Sequence, residues 1–243
     1  MRLAKYLARA GVASRRRAEE LIFEGRVAVN NERADKPQIQ VTEADRITVD
    51  DKTIDGIEEK VYLLLNKPQG YISTAKDTHD RPTVIQLIDN KNTRLYPVGR
   101  LDADTSGVLL LTNDGELANR LMHPRYEVKK VYHVWIYGLP GNEALAKLKK
   151  GPVIEGEKRT PVSVRLLKKD TQKNTALLEI TLSEGKKRQV KKVCQAIGHP
   201  VKKLIRVSFG GLGAGNLKEG SYRHLGTDEI AALYSLVNLK SQR

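Results

Sequence analysis

Short apolar runs separated by turn residues set the pattern of this chain. Near its start, Leu3, Leu7 and Ala10 share one helical face and Gly11 can close that helix. Ser14 can cap a second helix, whose stripe is Ala18, Leu21 and Ile22 and which ends at Gly25. Residues 26–33 then alternate, with Val27 and Val29 ahead of an Asn30-Asn31 pair, the mark of a small hairpin. Segment 51–60 is charged and weakly apolar and reads as a linker. Beyond it, strands are expected over 61–65, 108–111, 131–137, 176–182 and 204–209. Helices are expected over 114–122, 143–149, 188–197 and 228–237, the last capped by Thr227. The order describes an α+β protein: a small N-terminal domain, 1–58, of two helices plus a hairpin, then a larger domain, 61–243.

Composition narrows the partner. With 43 Lys and Arg against 29 Asp and Glu, the net charge is +14, so an anionic partner is expected. Nucleic acid leads a membrane surface, because no basic amphipathic helix carries aromatic anchors. The first sixty residues balance twelve basic against twelve acidic side chains, so the whole excess falls beyond them. Within that segment Arg2, Lys5, Arg9, Arg15, Arg16 and Arg17 precede most of the acids. Lys5 and Arg9, four apart on one helix, repel by about a few tenths of a kcal/mol, a cost that an external phosphate would offset. No apolar run approaches the roughly 18 residues of a membrane span and no apolar leader opens the chain, so a cytoplasmic protein without a membrane partner is expected. The single Cys194 excludes an internal disulfide and a multi-cysteine zinc site and is expected to be inert. The five histidines show no ligand spacing. The glycine cluster at 210–215 precedes no helix, which removes a dinucleotide reading.

The stretch GRLDADTSGVLLLTND, residues 99–114, carries the most chemistry. Its apolar run is too short for a helix and suits a buried strand, so 99–107 reads as the loop feeding it and Asp102 sits at an edge. Asp102 and Asp104 would face the same way in an extended segment. A magnesium site would need further carboxylates aimed at the same point, and the strand separates Asp114 and Glu116 from the pair. A turn cap over Thr105-Ser106-Gly107 suits Asp104 better than Asp102.

This stretch closely resembles the catalytic-aspartate motif of RNA pseudouridine synthases, in the branch that modifies ribosomal RNA; Val108 stands where leucine is usual. Asn66-Lys67-Pro68-Gln69-Gly70 resembles the family's N-K-P-x-G motif. Lys130 and Tyr132 fit K-x-Y, and Arg188-Gln-Val-Lys191-Lys192 fits the third motif. About the first fifty residues are similar to the S4 RNA-binding module, so the resemblance spans nearly the whole chain.

The resemblance implies a mixed, mainly antiparallel sheet flanked by helices. It also implies isomerisation of a uridine in ribosomal RNA to pseudouridine, with neither cofactor nor metal. Asp102 is then the nucleophile, and whether it attacks C1′, attacks C6 or assists a glycal route stays open. Lys191 becomes its counter-charge, which a desolvated carboxylate needs in order to stay ionised. Tyr132 stacks on the extruded uracil and handles the C5 proton. Arg100 fills the gap left in the RNA, and Lys67 shapes the pocket on the substrate side. Arg188 and Lys192 meet RNA phosphates, as do Arg2, Lys5, Arg9, Arg15, Arg16 and Arg17 of the S4-like module. A monomer acting on large-subunit 23S RNA is preferred over one acting on small-subunit 16S RNA. The reading from a different class is a non-catalytic RNA-binding or ribosome assembly factor that uses the S4-like module alone.

Overall fold

The computed structural model describes residues 1–54, 56–89, 93–159 and 163–240. Asp55 of the expected linker and residues 241–243 of the expected second domain lie outside them. The chain divides into two compact units, one built on Met1–Val61 and taking in residues 93–94 and 113–115, and a larger one built on residues 62–89, 95–112 and those from 116 onward.

In the first unit, helices α1 (Leu3–Arg9) and α2 (Arg15–Phe23) pack on strands β1 (Val27–Val29), β2 (Glu32–Arg33), β3 (Ile47–Val49) and β4 (Lys52–Thr53). The strands form an antiparallel sheet in the order β2-β1-β3-β4. Leu3, Leu7, Ala18 and Ile22 bury fully between helices and sheet, and the Ser14 hydroxyl caps α2 by accepting from the Arg17 N–H at 3.1 Å. Asn30 and Asn31 both take the left-handed conformation that the tight hairpin turn requires. Asp50 and Asp51 do the same. They make a second hairpin, so Lys52 and Thr53 belong to a strand, not to the expected linker. Aspartate, like asparagine, tolerates that conformation, and Ile47 and Val49 bury on its near side.

The larger unit holds β5 (Tyr62–Lys67), β6 (Tyr96–Pro97), β7 (Ser106–Thr112), α3 (Gly115–Met122), β8 (Lys130–Tyr137), α4 (Asn142–Lys150) and the ribbon β9 (Val153–Ile154) with β10 (Glu157–Lys158). Then follow β11 (Ser163–Asp170), β12 (Thr175–Leu182), α5 (Gln189–Ala196), β13 (Val201–Phe209), β14 (Leu212–Gly213), β15 (Tyr222–His224) and α6 (Thr227–Leu236). The main sheet runs β11-β12-β8-β13-β7-β5-β15, with β14 beside β13 and β6 beside β7. Every strand pair in it is antiparallel except β13 with β7. The fold is therefore α+β with a mixed, mainly antiparallel sheet.

The apolar stripes of α3 and α6, Leu117, Leu121, Leu233 and Tyr234, pack with Tyr62, Leu64, Val108, Leu110 and Phe209. α5 buries Val190, Val193 and Cys194. β7 is buried along its whole length, as its unbroken apolar run requires. All four helix starts expected in this unit differ by one residue; α3 begins at Gly115 and α4 at Asn142. α5 begins at Gln189, with Arg188 as a left-handed N-cap, and α6 has Gly226 as N-cap and Thr227 as its first helical residue. Glu229 accepts from the Gly226 N–H at 3.0 Å, so the acid does the capping that was expected of Thr227.

The one parallel pairing sets the site. It aligns Gly107 of β7 with Arg206 of β13. Gly107 has a φ of 108°, and a Cβ there would lie 2.2 Å from the Arg206 carbonyl oxygen. Only glycine admits this approach.

Candidate active site

The loop between β6 and β7 holds Asp102, and the segment that continues β5 fixes it from beneath. The Lys67 ammonium is fully buried and donates to the carbonyls of Thr105 at 2.8 Å, Pro68 at 3.0 Å, Asp102 at 3.2 Å and Ala103 at 3.5 Å. The Gly70 N–H donates to the Ala103 carbonyl at 2.8 Å, and the Ser73 hydroxyl donates to that of Leu101 at 2.9 Å. Asp102 and Asp104 are thus presented by a backbone whose carbonyls are already engaged. Burial lowers the Lys67 pKa to about 8, against the pull of Asp104 and Asp102.

Two cations from the start of α5 face the aspartates. Lys191 Nζ stands 3.8 Å from Asp102 Oδ2 and hydrogen-bonds Asp104. Arg188 Nη1 stands 4.0 Å from Asp102 Oδ2 and 3.8 Å from Asp104 Oδ2. Burial pushes the Asp104 carboxyl up, but the hydrogen bond and charge of Lys191, with Arg188 behind them, outweigh it and hold Asp104 below the usual range. The two carboxylates therefore differ: Asp104 is tied to Lys191, while Asp102 keeps only the two longer ion pairs. Among the described residues no three His, Cys, Asp or Glu side chains gather as a metal-holding group.

A cleft of about 1300 Å³ opens above the loop, lined by Arg100, Asp102, Tyr132, Arg188, Arg206 and Phe209 among others. It exceeds the roughly 300–1,000 Å³ of small-molecule pockets, which suits one part of a larger substrate. Tyr132, on β8, is buried to 8% exposure and pairs in register with Arg206. Lys130 lies two residues before it, donating to the carbonyls of Val128 at 2.8 Å and Ser183 at 3.3 Å. Burial lowers the Lys130 pKa to about 8, and the charge of Arg206 adds to that shift.

The structure brings Asp102, Tyr132, Arg100, Lys191 and Arg188 together. Three placements differ from expectation. Arg188, expected on the phosphate-facing side of α5, turns at its left-handed N-cap toward the aspartates. Lys192 pairs with Glu155 at 2.9 Å and 3.0 Å. Lys67, expected on the substrate side, lies under the loop. In the first unit, Arg2, Arg15 and Arg16 are exposed and Lys5 is half-buried. Arg9 approaches the Met1 sulfur at 3.9 Å, and Arg17 is engaged by Glu20 at 2.9 Å and Glu24 at 2.7 Å. Arg206 escaped the sequence reading, although a lone basic residue inside the apolar run Leu204-Ile205-Arg206-Val207 is itself a signal of a buried charge.

An aspartate pair facing two cations, beside a buried tyrosine in an open cleft, has the make-up of an active site. Residues 61–196 match the RNA pseudouridylate synthase family, residues 1–47 match the S4 domain, and the chain belongs to the RNA pseudouridine synthases. It is 46% identical over 237 residues to the ribosomal large subunit pseudouridine synthase B of Bacillus subtilis (strain 168), covering 98% of this chain and 97% of that one. It is 43% identical over 242 residues to an uncharacterized RNA pseudouridine synthase of Aquifex aeolicus (strain VF5), covering 99% and 96% respectively. A crystal structure of a pseudouridylate synthase aligns with a TM-score of 0.69 at 32% identity, over 96% of this chain and 99% of that one.

Proposed function

We propose that this protein converts one uridine of large-subunit ribosomal RNA to pseudouridine, with Asp102 as the nucleophile. The observation that carries this reading is the unequal treatment of the two carboxylates: Lys191 engages Asp104, and Asp102 faces the cleft with its charge compensated at 3.8–4.0 Å. A carboxylate so placed keeps its lone pairs for an electrophilic carbon of the nucleotide. The N1–C1′ bond breaks, the uracil turns, C5 bonds to C1′, and the C5 proton leaves as N1 gains one. The step rearranges one nucleotide, so it requires no co-substrate, cofactor or metal. Tyr132, a ring with a polar tip on the cleft wall, stacks on the extruded base and handles the C5 proton. Arg100 occupies the gap in the RNA, and Arg188 and Lys191 hold the charge of the aspartates.

The large-subunit target is supported by the end-to-end similarity to the Bacillus subtilis enzyme. The exposed arginines of the first unit and the +14 net charge support capture of the RNA backbone. We assign the protein to the cytoplasm as a monomer.

The test uses unmodified large-subunit RNA transcribed with uridine tritiated at C5, because the isomerisation releases that hydrogen. Wild type should release tritium in proportion to pseudouridine formed, and Asp102→Asn should release none while still binding the RNA. Full release by Asp102→Asn would remove Asp102 from the mechanism. No release by wild type from either ribosomal RNA would leave the non-catalytic binding reading.

A further inference from the structure

Arg206 is a buried cation that the chemistry above leaves unused. It is 2% exposed, in the middle of β13, between Gly107 of β7 on one side and Tyr132 of β8 on the other. Its Nε donates to the Val108 carbonyl at 2.8 Å, and its Cζ lies 5.0 Å from the centre of the Phe209 ring. No carboxylate is among the groups that act on it; burial, which lowers its pKa, is opposed only by Tyr132. Among the described residues its Nη2 is buried without any hydrogen-bond partner.

A purely structural residue would not look like this. An arginine buried without an acid and with one amine unsatisfied destabilises a fold, and an aliphatic side chain in its place would pack at no such cost. The position also faces the chemistry, since Arg206 lines the same cleft as Asp102 and Tyr132. The neighbouring cation, Lys130, already spends its ammonium on the carbonyls of Val128 and Ser183. Nη2 is therefore the donor on this wall that still needs an acceptor.

Hydrogen-bond direction supplies the rest. A guanidinium only donates, so the free Nη2 of Arg206, which pairs in register with Tyr132 across β13 and β8, requires an acceptor. Uracil offers two carbonyl acceptors, which is what an unsatisfied N–H on the wall of this cleft requires.

We propose that Arg206 is a base-binding residue: beside Tyr132 on the cleft wall, it donates its free N–H to a carbonyl of the bound uracil. The proposal rests on the pseudouridine synthase reading of this cleft. It adds a recognition contact on β13, away from the two cations that face the aspartates.

The test compares full-length wild type, Arg206→Ala and Arg206→Lys by tritium release from the C5-labelled large-subunit transcript. Filter binding of the same RNA and thermal unfolding are measured alongside. Arg206→Ala should lower kcat by about 100-fold, the range of one lost donor to an oxygen that gains charge in the reaction, with KM within about threefold of wild type. RNA affinity and Tm should not fall. Methylguanidinium added to Arg206→Ala should restore part of the rate, and Arg206→Lys, which keeps the charge without the planar fork, should fall between the two. A folded Arg206→Ala with kcat within about threefold of wild type, or a loss confined to KM, overturns the proposal. If Arg206→Ala does not fold, Arg206→Lys decides: a native Tm with undiminished kcat also overturns it. Absence of release by wild type would instead defeat the function reading itself, so the two failures are distinguishable.

Discussion

Asp102 and Asp104 are two residues apart and chemically alike, and their surroundings make them different. Lys191 bonds Asp104 directly and stands 3.8 Å from Asp102, so Asp104 holds the lysine in place and Asp102 stays available. Asp104→Asn should therefore reduce kcat about 10-fold by loosening Lys191, where Asp102→Asn should abolish turnover. Equal losses in single-turnover assays would contradict that division. Lys67 and Lys130 give a pH signature. Both have folded-state pKa values of about 8, against 10.5 for the ordinary side chain. Between those values the unfolded chain keeps protons that the folded chain has released. The contribution of these two groups to stability therefore rises with pH across that window, and below pH 8 their full burial cost is present. Activity runs the other way, because the Lys67 ammonium pins the Asp102 loop only while it is charged. The expected kcat falls above about pH 8 while these lysines contribute no loss of Tm, and Lys67→Met is slow throughout. A wild-type kcat flat to pH 9.5 would rule out the pinning role. At this scale the motifs singled out Asp102, Tyr132 and Lys191, and the structure sets Lys191 3.8 Å from Asp102 and Tyr132 on the wall of the same cleft. It could not show that Lys67 donates inward or that Lys192 meets Glu155, since those depend on partners distant along the chain.

Elements were legible where burial imposed a period. The apolar run of β7 and the alternation of β8 and β12 announced themselves, as did the stripes of α2 and α5. β11 did not, because it is an edge strand: only Val164 is buried, and Lys168 and Lys169 guard the exposed side. The second hairpin of the first unit was masked by its acidic turn, Asp50-Asp51, which reads as solvated loop until the left-handed backbone is seen. The parallel register of β7 and β13, which brings Arg206 beside the Asp102 loop, rests on one glycine. Gly107→Ala forces a side chain into the Arg206 backbone at a positive φ, and it should cost about 3 kcal/mol or more in denaturant unfolding. A cost below about 1 kcal/mol would mean the strands part without penalty. At the start of α2, Arg15, Arg16 and Arg17 oppose the helix dipole with no acid in the first turn, and Arg17 alone is engaged by Glu20 and Glu24. Arg15→Ala with Arg16→Ala should weaken RNA binding and flatten its salt dependence by about one to two charges, whereas Arg17→Ala should change the slope little. An unaltered slope in the double variant would remove this helix end from the RNA interface.

On the scale of the whole molecule, charge and chemistry are unevenly divided. The first sixty residues are electrically balanced but present arginines on their surface, while the rest of the chain carries the net excess and the larger unit holds the cleft. Composition alone pointed to a nucleic-acid partner, and the motif order pointed to the reaction. The target uridine is written in neither, because RNA shape and sequence are read by surfaces whose specificity depends on the assembled three-dimensional face. The most direct test of the central claim is position-resolved pseudouridine mapping of ribosomal RNA from cells lacking this gene, complemented with wild type or with Asp102→Asn. The account predicts that one large-subunit pseudouridine disappears on deletion, returns with wild type and stays absent with Asp102→Asn. An unchanged map on deletion, or restoration by Asp102→Asn, would contradict it.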